Sequence, residues 1–211
     1  MASLLRCTPK NSPGLVLRRD VALPLYDLTV SNILNYMFYT KFGNVCLLQE
    51  DSLVGIISLR DIVRYAYSQL IDTGVKTGEV ASRAVIQVSR DSTLLDVIDL
   101  MLTRGVRRVI FEDGGEKRVI NDMGVIQYTF SSESLAAMRD SPEKFFSMPV
   151  EELPMVEAGV AEIGMDVSET WREIYRSPAG CLFVENTNMI LTPWDAVIKP
   201  FLLGKLPIDA S

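Results

Sequence analysis

The chain has 211 residues, 48% hydrophobic and 23% charged, with a net charge of −6. That is enough apolar material for one or two cored domains, and the acidic balance argues against a nucleic-acid partner. The absence of histidine removes the commonest general base and metal ligand and excludes Ser-His-Asp and Cys-His catalysis.

No stretch approaches the roughly 18 unbroken apolar residues of a membrane span. Residues 1–7 lack the apolar core of a signal peptide, so a cytoplasmic protein without a membrane partner is expected. The densest basic clusters, Arg18-Arg19 and Arg104 to Arg108, read as solvated surface. Cys7, Cys46 and Cys181 are widely spaced and odd in number. They read as free thiols, the last two buried in apolar runs.

In chain order, residues before 12 read as a loose arm. Val30, Ile33, Leu34, Met37 and Phe38 fall on one face of a helix. Short apolar strands at 45–48 and 53–57 flank a polar turn, which makes a hairpin, and a second helix follows. A strand at 85–88 leads to a helix carrying Leu94, Val97, Ile98 and Met101, then to strands at 109–111 and 118–120. The turn between them holds Asp113-Gly114-Gly115, suited to the positive φ of a tight hairpin. Residues 138–149, with two prolines, read as a linker with a short helical piece. Val167, Trp171, Ile174 and Tyr175 outline a looser helix with Trp171 in the core. Strands at 181–184 and 189–191 and a last helix complete the order. Asp27 with Thr29, Asp91 with Thr93, and Asp166 with Ser168 precede the three leading helices as caps.

The order strand, helix, strand, strand, helix therefore occurs three times. Gly55-Ile56-Ile57-Ser58-Leu59-Arg60-Asp61 matches Met189-Ile190-Leu191-Thr192-Pro193-Trp194-Asp195, and Arg118-Val119-Ile120-Asn121 opens the corresponding stretch between them. A unit of about sixty residues has a marginal core alone, and stacking two through their sheets buries the rest. The expected repeats are 12–72, 73–136 and 146–205, in an α/β (α+β) fold.

These residues, with Val80 to Asp91 entering the second copy, resemble the CBS domain, named after cystathionine β-synthase. The resemblance spans roughly residues 12–200. It implies repeats paired about a pseudo-twofold axis, with clefts that bind AMP, ADP, ATP or S-adenosylmethionine as a regulatory ligand. It implies no catalysis and no required cofactor. Carried over by position, the hydroxyl role falls on Ser58 and Thr192 and the ribose carboxylate on Asp61 and Asp195. Arg60 lies inside the motif, Arg107 and Arg108 at the start of a middle strand, and the adenine contacts near Ile56 and Val85. The second copy departs, with Asn121 for the hydroxyl residue and Gly124 for the aspartate.

Physical chemistry supports two readings of the motif. A helix start offers free N–H groups to a phosphate, and arginine grips phosphate with a planar fork. The same Ser/Thr-x-x-Asp spacing is also a capping box, with Pro193 at the helix start. Trp194 reads as a mark of a partner surface. Copies one and two are expected to pair within the chain, leaving copy three to meet its counterpart in a homodimer, or another protein. The alternative to a sensor is a ligand-free dimerisation and docking module.

Overall fold

The computed structural model describes residues 22–24, 29–50 and 52–206. The expectations placed on Cys7, Arg18-Arg19, the N-terminal arm and Asp27 lie outside them. The chain divides into two compact units between Leu59 and Arg60, inside the first expected repeat.

In the first unit, β1 (Ala22–Pro24) runs parallel to β2 (Asn44–Gln49), which pairs antiparallel with β3 (Ser52–Ser58). Between β1 and β2 lies α1 (Val30–Thr40). The Thr29 hydroxyl accepts the Asn32 N–H at 3.1 Å to start it, and Lys41 ends it in the left-handed conformation. Ile33, Leu34 and Met37 of α1 are buried with Val45 and Leu47 of β2, so one face of this sheet is covered.

The second unit takes in α2 (Leu59–Ser68) from Arg60 onward, then α3 (Thr77–Val80). β4 (Gln87–Val88) lies parallel to β5 (Arg108–Asp113), which pairs antiparallel with β6 (Glu116–Asn121). Their turn carries Gly114 at φ 57° and Gly115 at φ 87°, the positive angles that a two-residue hairpin needs. Between β4 and β5 runs α4 (Leu94–Arg104), started by a capping box in which Thr93 and Asp96 each bond the other's backbone N–H. After β6 come α5 (Asp122–Thr129), α6 (Ser132–Asp140) and α7 (Pro142–Phe146). The expected linker is thus largely helical: Ser131 caps α6 and Pro142 opens α7.

The third sheet repeats the plan. β7 (Gly159–Ala161) is parallel to β8 (Leu182–Val184), and β9 (Ile190–Leu191) is antiparallel to β8. A 3-10 turn (Val167–Thr170) leads into α8 (Trp171–Arg176) between β7 and β8. A π turn (Trp194–Ile198) and α9 (Lys199–Leu202) follow β9. Asp166 caps the 3-10 turn and also accepts the Thr73 hydroxyl at 2.9 Å. Burial pushes its carboxyl up, but the bonds from Ser168 and Thr73 outweigh this and hold it below the ordinary carboxylate range.

Copies two and three pair, which corrects the expectation that copies one and two do so. Ile110 and Val119 of copy two share a buried cluster with Ala179, Cys181 and Ile190 of copy three. The backbone exchange is reciprocal. Ser82, ahead of β4, trades both its hydrogen bonds with Ile190 on β9, and Val156, ahead of β7, trades both with Val119 on β6. Further out, Lys76 bridges to Asp166 and Pro149 to Thr93. Each copy's entry segment therefore lies across the other copy, as a pseudo-twofold axis requires. This packing covers copy three's sheet inside the chain, so the apolar face that called for an outside partner at copy three is already buried.

Candidate functional site

Between copies two and three lies a cleft of about 390 Å³, within the usual range of about 300–1,000 Å³ for small-molecule sites. The entry segment of copy two, ahead of β4, supplies Ser82, Val85 and Ile86, and the end of the loop from α4 and the first residue of β5 supply Arg107 and Arg108. Thr192, Trp194 and Asp195 come from the end of β9 and the start of the π turn, with Ile110 and Ile190 as apolar floor. No cluster of metal-ligating side chains occurs among the described residues.

The corner at Asp195 is tightly bonded. Asp195 is 1% exposed. Its Oδ2 accepts the Thr192 N–H at 2.9 Å and the Thr192 hydroxyl at 2.7 Å. Its Oδ1 accepts the Ser82 hydroxyl at 2.7 Å and pairs with Lys199 Nζ at 2.7 Å. A carboxylate offers about four lone-pair sites, and here all four are used. Lys199 also donates to the Val80 carbonyl, so the corner ties copy three to the entry segment of copy two. The π turn has a local cause. Pro200 has no N–H for the Ala196 carbonyl four residues back, and the buried indole N–H of Trp171 donates to that carbonyl instead, at 3.0 Å.

The two arginines differ. Arg108 is half-buried and reaches into copy three, where its Nε donates to the Ala179 carbonyl at 2.8 Å and its Nη2 to the Gly180 carbonyl at 3.2 Å. A Cβ on Gly180 would sit 2.8 Å from Arg108 Nη2, and Gly180 has φ 61°, so this contact requires glycine. Arg107 is exposed at the mouth, its Nε paired with Asp122 Oδ2 at 2.6 Å. One of its five N–H groups is thereby engaged.

Cys181, beside this corner, is fully buried. Burial pushes its thiol up to about 11, against a lowering by Arg108 and a smaller raising by Asp195. Cys46 is half-buried rather than buried as expected, because its face of the first sheet carries less cover. In the folded chain at pH 8, Cys46 is expected to react with a disulfide reagent while Cys181 reacts only after denaturant is added; labelling followed by peptide mass spectrometry checks this.

The structure brings Val85, Arg107, Arg108, Thr192 and Asp195 together. Ile56, Ser58, Arg60 and Asp61 belong to copy one and are not part of this cleft. Ile56 is exposed on β3, Ser58 ends β3 half-buried, and Asp61 is exposed in the first turn of α2. Arg60 lies over the Tyr175 ring and donates to the Tyr175 carbonyl. In copy two, Asn121 accepts the Gly124 N–H at 2.7 Å, a helix cap without the carboxylate. Sequence reasoning missed Ser82 and Lys199. Lys199 was signalled by its position four residues after Asp195, whereas Ser82 lies 113 residues away and had no local sign. Trp194, read as a partner surface, stands in the cleft wall.

The model of the CBS domain matches residues 14–68 and 78–120. The chain is a tandem CBS-domain protein. Among curated proteins it is 33% identical over 108 residues to an uncharacterized protein of Methanopyrus kandleri, covering 50% of this chain and 55% of that one. It thus spans about half the length of that relative. An uncharacterized protein of Acidianus ambivalens is 26% identical over 145 residues, covering 68% of this chain and 82% of the relative. Among solved structures, a Methanocaldococcus jannaschii protein proposed as an archaeal homologue of g-AMPK superposes with a TM-score of 0.72 at 21% identity, covering 86% of this chain and 66% of that one. A conserved Pyrococcus horikoshii protein gives 0.63 at 19% identity, covering 86% and 79%. These two likenesses concern the fold. The third copy lies beyond the stretches matched by the family model, and it carries the same strand order as the first two.

Proposed function

We propose that this CBS tandem is a regulatory, non-catalytic sensor that takes an adenine nucleotide or S-adenosylmethionine in the cleft between copies two and three. The supporting observation is the convergence on one cleft of a cation at its mouth, an apolar floor, an indole and a helix-start hydroxyl, each from a different segment. Val85, Ile86, Ile110 and Ile190 suit the flat apolar faces of adenine. Arg107 keeps N–H groups for a phosphate, or for a carboxylate in the case of S-adenosylmethionine. A ribose diol reaches Asp195 by displacing Ser82 or Lys199 from Oδ1, because the carboxylate has no lone pair in reserve. No second site of this kind is proposed on copy two, where Gly124 stands in place of the aspartate.

The same full carboxylate favours a second reading, a ligand-free docking module in which Asp195 serves only to lock copy three to copy two. Calorimetric titration of ligand-free protein with AMP, ADP, ATP and S-adenosylmethionine separates the two. Under the first reading at least one binds saturably in the micromolar range. Arg107→Ala then weakens it about tenfold or more, in line with the roughly 1.5–3 kcal/mol of a lost charged hydrogen bond. Arg64→Ala, an exposed change on α2, leaves it unaltered. Heat-silent titrations with all four, backed by unchanged melting temperatures, would leave only the second reading.

A further inference from the structure

We propose that a cavity bordered by α5, α6, α7 and the segment 147–152 is a binding site for a linear aliphatic polyamine. The inference does not rest on the nucleotide reading, because this cavity shares no residue with the cleft between copies two and three.

The strand, helix, strand, strand, helix plan of copy two ends with α5, so α6 and α7 are additions to it. The cavity they border measures about 760 Å³, inside the range of about 300–1,000 Å³ for small-molecule sites. Its floor is apolar. The rings of Tyr128 and Phe145 stack with centres 6.3 Å apart, and the Tyr128 hydroxyl donates to Met148 Sδ at 3.0 Å. Ala137 lines the cavity from α6, and its small side chain leaves the trough open.

Ser134 points to a ligand. It lines the cavity yet is only 4% exposed. Its N–H donates to the Ser131 hydroxyl at 3.2 Å, and its own hydroxyl has no hydrogen bond among the described residues. A buried hydroxyl left unpaired is unfavourable, and an N–H donor from a ligand relieves it.

Charge selects the kind of donor. Three acids, Glu133, Asp140 and Glu152, stand on the rim against one lysine, Lys144, and all four are exposed. None of the four is ion-paired among the described residues. Glu133 and Asp140 both line the cavity from α6, with Ala137 between them, about 10 Å apart along the helix axis. Two separated carboxylates with an apolar trough between them match ammonium groups at the two ends of a methylene chain. The methylenes lie on Tyr128, Phe145 and Met148, and one ammonium reaches Ser134. A bare metal ion makes no use of the trough, and a nucleotide would set its phosphates against the acids.

Calorimetric titration of the full chain with spermidine at low salt tests this. One molecule per chain is expected to bind saturably in the micromolar range, while propylamine, with a single nitrogen, does not saturate. Glu133→Gln and Asp140→Asn each weaken spermidine about two- to fivefold, the effect of losing one exposed ion pair. Ala137→Leu, a change that suits a helix, fills the trough and abolishes binding. Lys144→Ala tightens binding by removing a like charge. Glu116→Gln, at the exposed start of β6, leaves it unaltered. Far-UV circular dichroism is unchanged in all of these; should Ala137→Leu fold poorly, the charge variants decide. A failure of spermidine to saturate, equal competition by Mg²⁺, or binding that survives in folded Ala137→Leu overturns the proposal. So does a loss in Glu116→Gln as large as in Asp140→Asn, or a loss in Lys144→Ala, the mark of a bound anion.

Discussion

Replacing Val119 by aspartate is expected to unfold the second unit or bring it close to doing so. Val119 is fully buried where copies two and three meet, packed with Ile110, Cys181 and Ile190, and both its backbone groups bond Val156. An aspartate there places a carboxylate in an apolar cluster at a cost of several kcal/mol, and also removes two buried methyl groups. Domains are stable by only about 5–15 kcal/mol, so a loss of about 4 kcal/mol lowers the transition of a unit this size by about 8–16 °C. The comparison that gives this force is Ile56→Asp, the same change at the equivalent position of copy one. There the side chain is exposed, so the carboxylate stays hydrated and the melting of the second unit is unchanged. Thermal melts of the two variants, followed by circular dichroism, would show one damaged and one intact second unit. Similar melting for Val119→Asp and wild type would mean that copies two and three do not share this core.

The contrast between these two positions also shows where sequence reading ran out. The helices α1 and α4 and the hairpins of copies one and two were legible because each rests on local periodicity and on caps such as Thr29, Thr93 and Asn121. The three copies present nearly the same apolar pattern, however, and that pattern does not say which two clasp. The choice is made by residues 75–82 and 148–156, which cross to the other copy through backbone hydrogen bonds. Backbone pairing of that kind leaves little trace in side chains, and Pro149 made the second segment look like plain linker. α6 was missed for a related reason: it is short, and Ser131 is its chief sign. At the site, Thr192 and Asp195 stood out at their spacing. Their burial, and the closing of the carboxylate by Ser82 from far along the chain, follow only from the pairing of the copies. The two open readings of the motif, cap and ligand contact, thus meet in one side chain that is demonstrably a cap and reaches a ligand only by giving up a bond.

A double-mutant cycle on Asp195 and Lys199 is expected to show how much of that side chain's work is structural. Asp195→Ala strips acceptors from the Thr192 N–H and hydroxyl, the Ser82 hydroxyl and Lys199 in one step. The loss is expected at about 3 kcal/mol, the lower end of values for breaking a buried pair, because Lys199 is 36% exposed and recovers some hydration. That corresponds to a fall of about 6–12 °C in the melting of the second unit. Lys199→Met is expected to cost about 2 kcal/mol, since it leaves a buried carboxylate without its cation while preserving the lysine stem's packing. The double variant Asp195→Ala, Lys199→Met removes both charges together and leaves no buried carboxylate without its cation. It should therefore be more stable than the two single losses sum to, by about 1–2 kcal/mol. Additive losses would mean that the pair at 2.7 Å contributes little. The same proteins bear on the ligand. If a ribose must displace Lys199 from Oδ1, Lys199→Met opens that oxygen in advance, and nucleotide affinity rises as stability falls. If Asp195 only caps, Lys199→Met lowers stability and moves affinity not at all. Stability and affinity moving in opposite directions is a signature that a purely structural lock does not produce, because loosening a lock gives a ligand no oxygen it did not already contact.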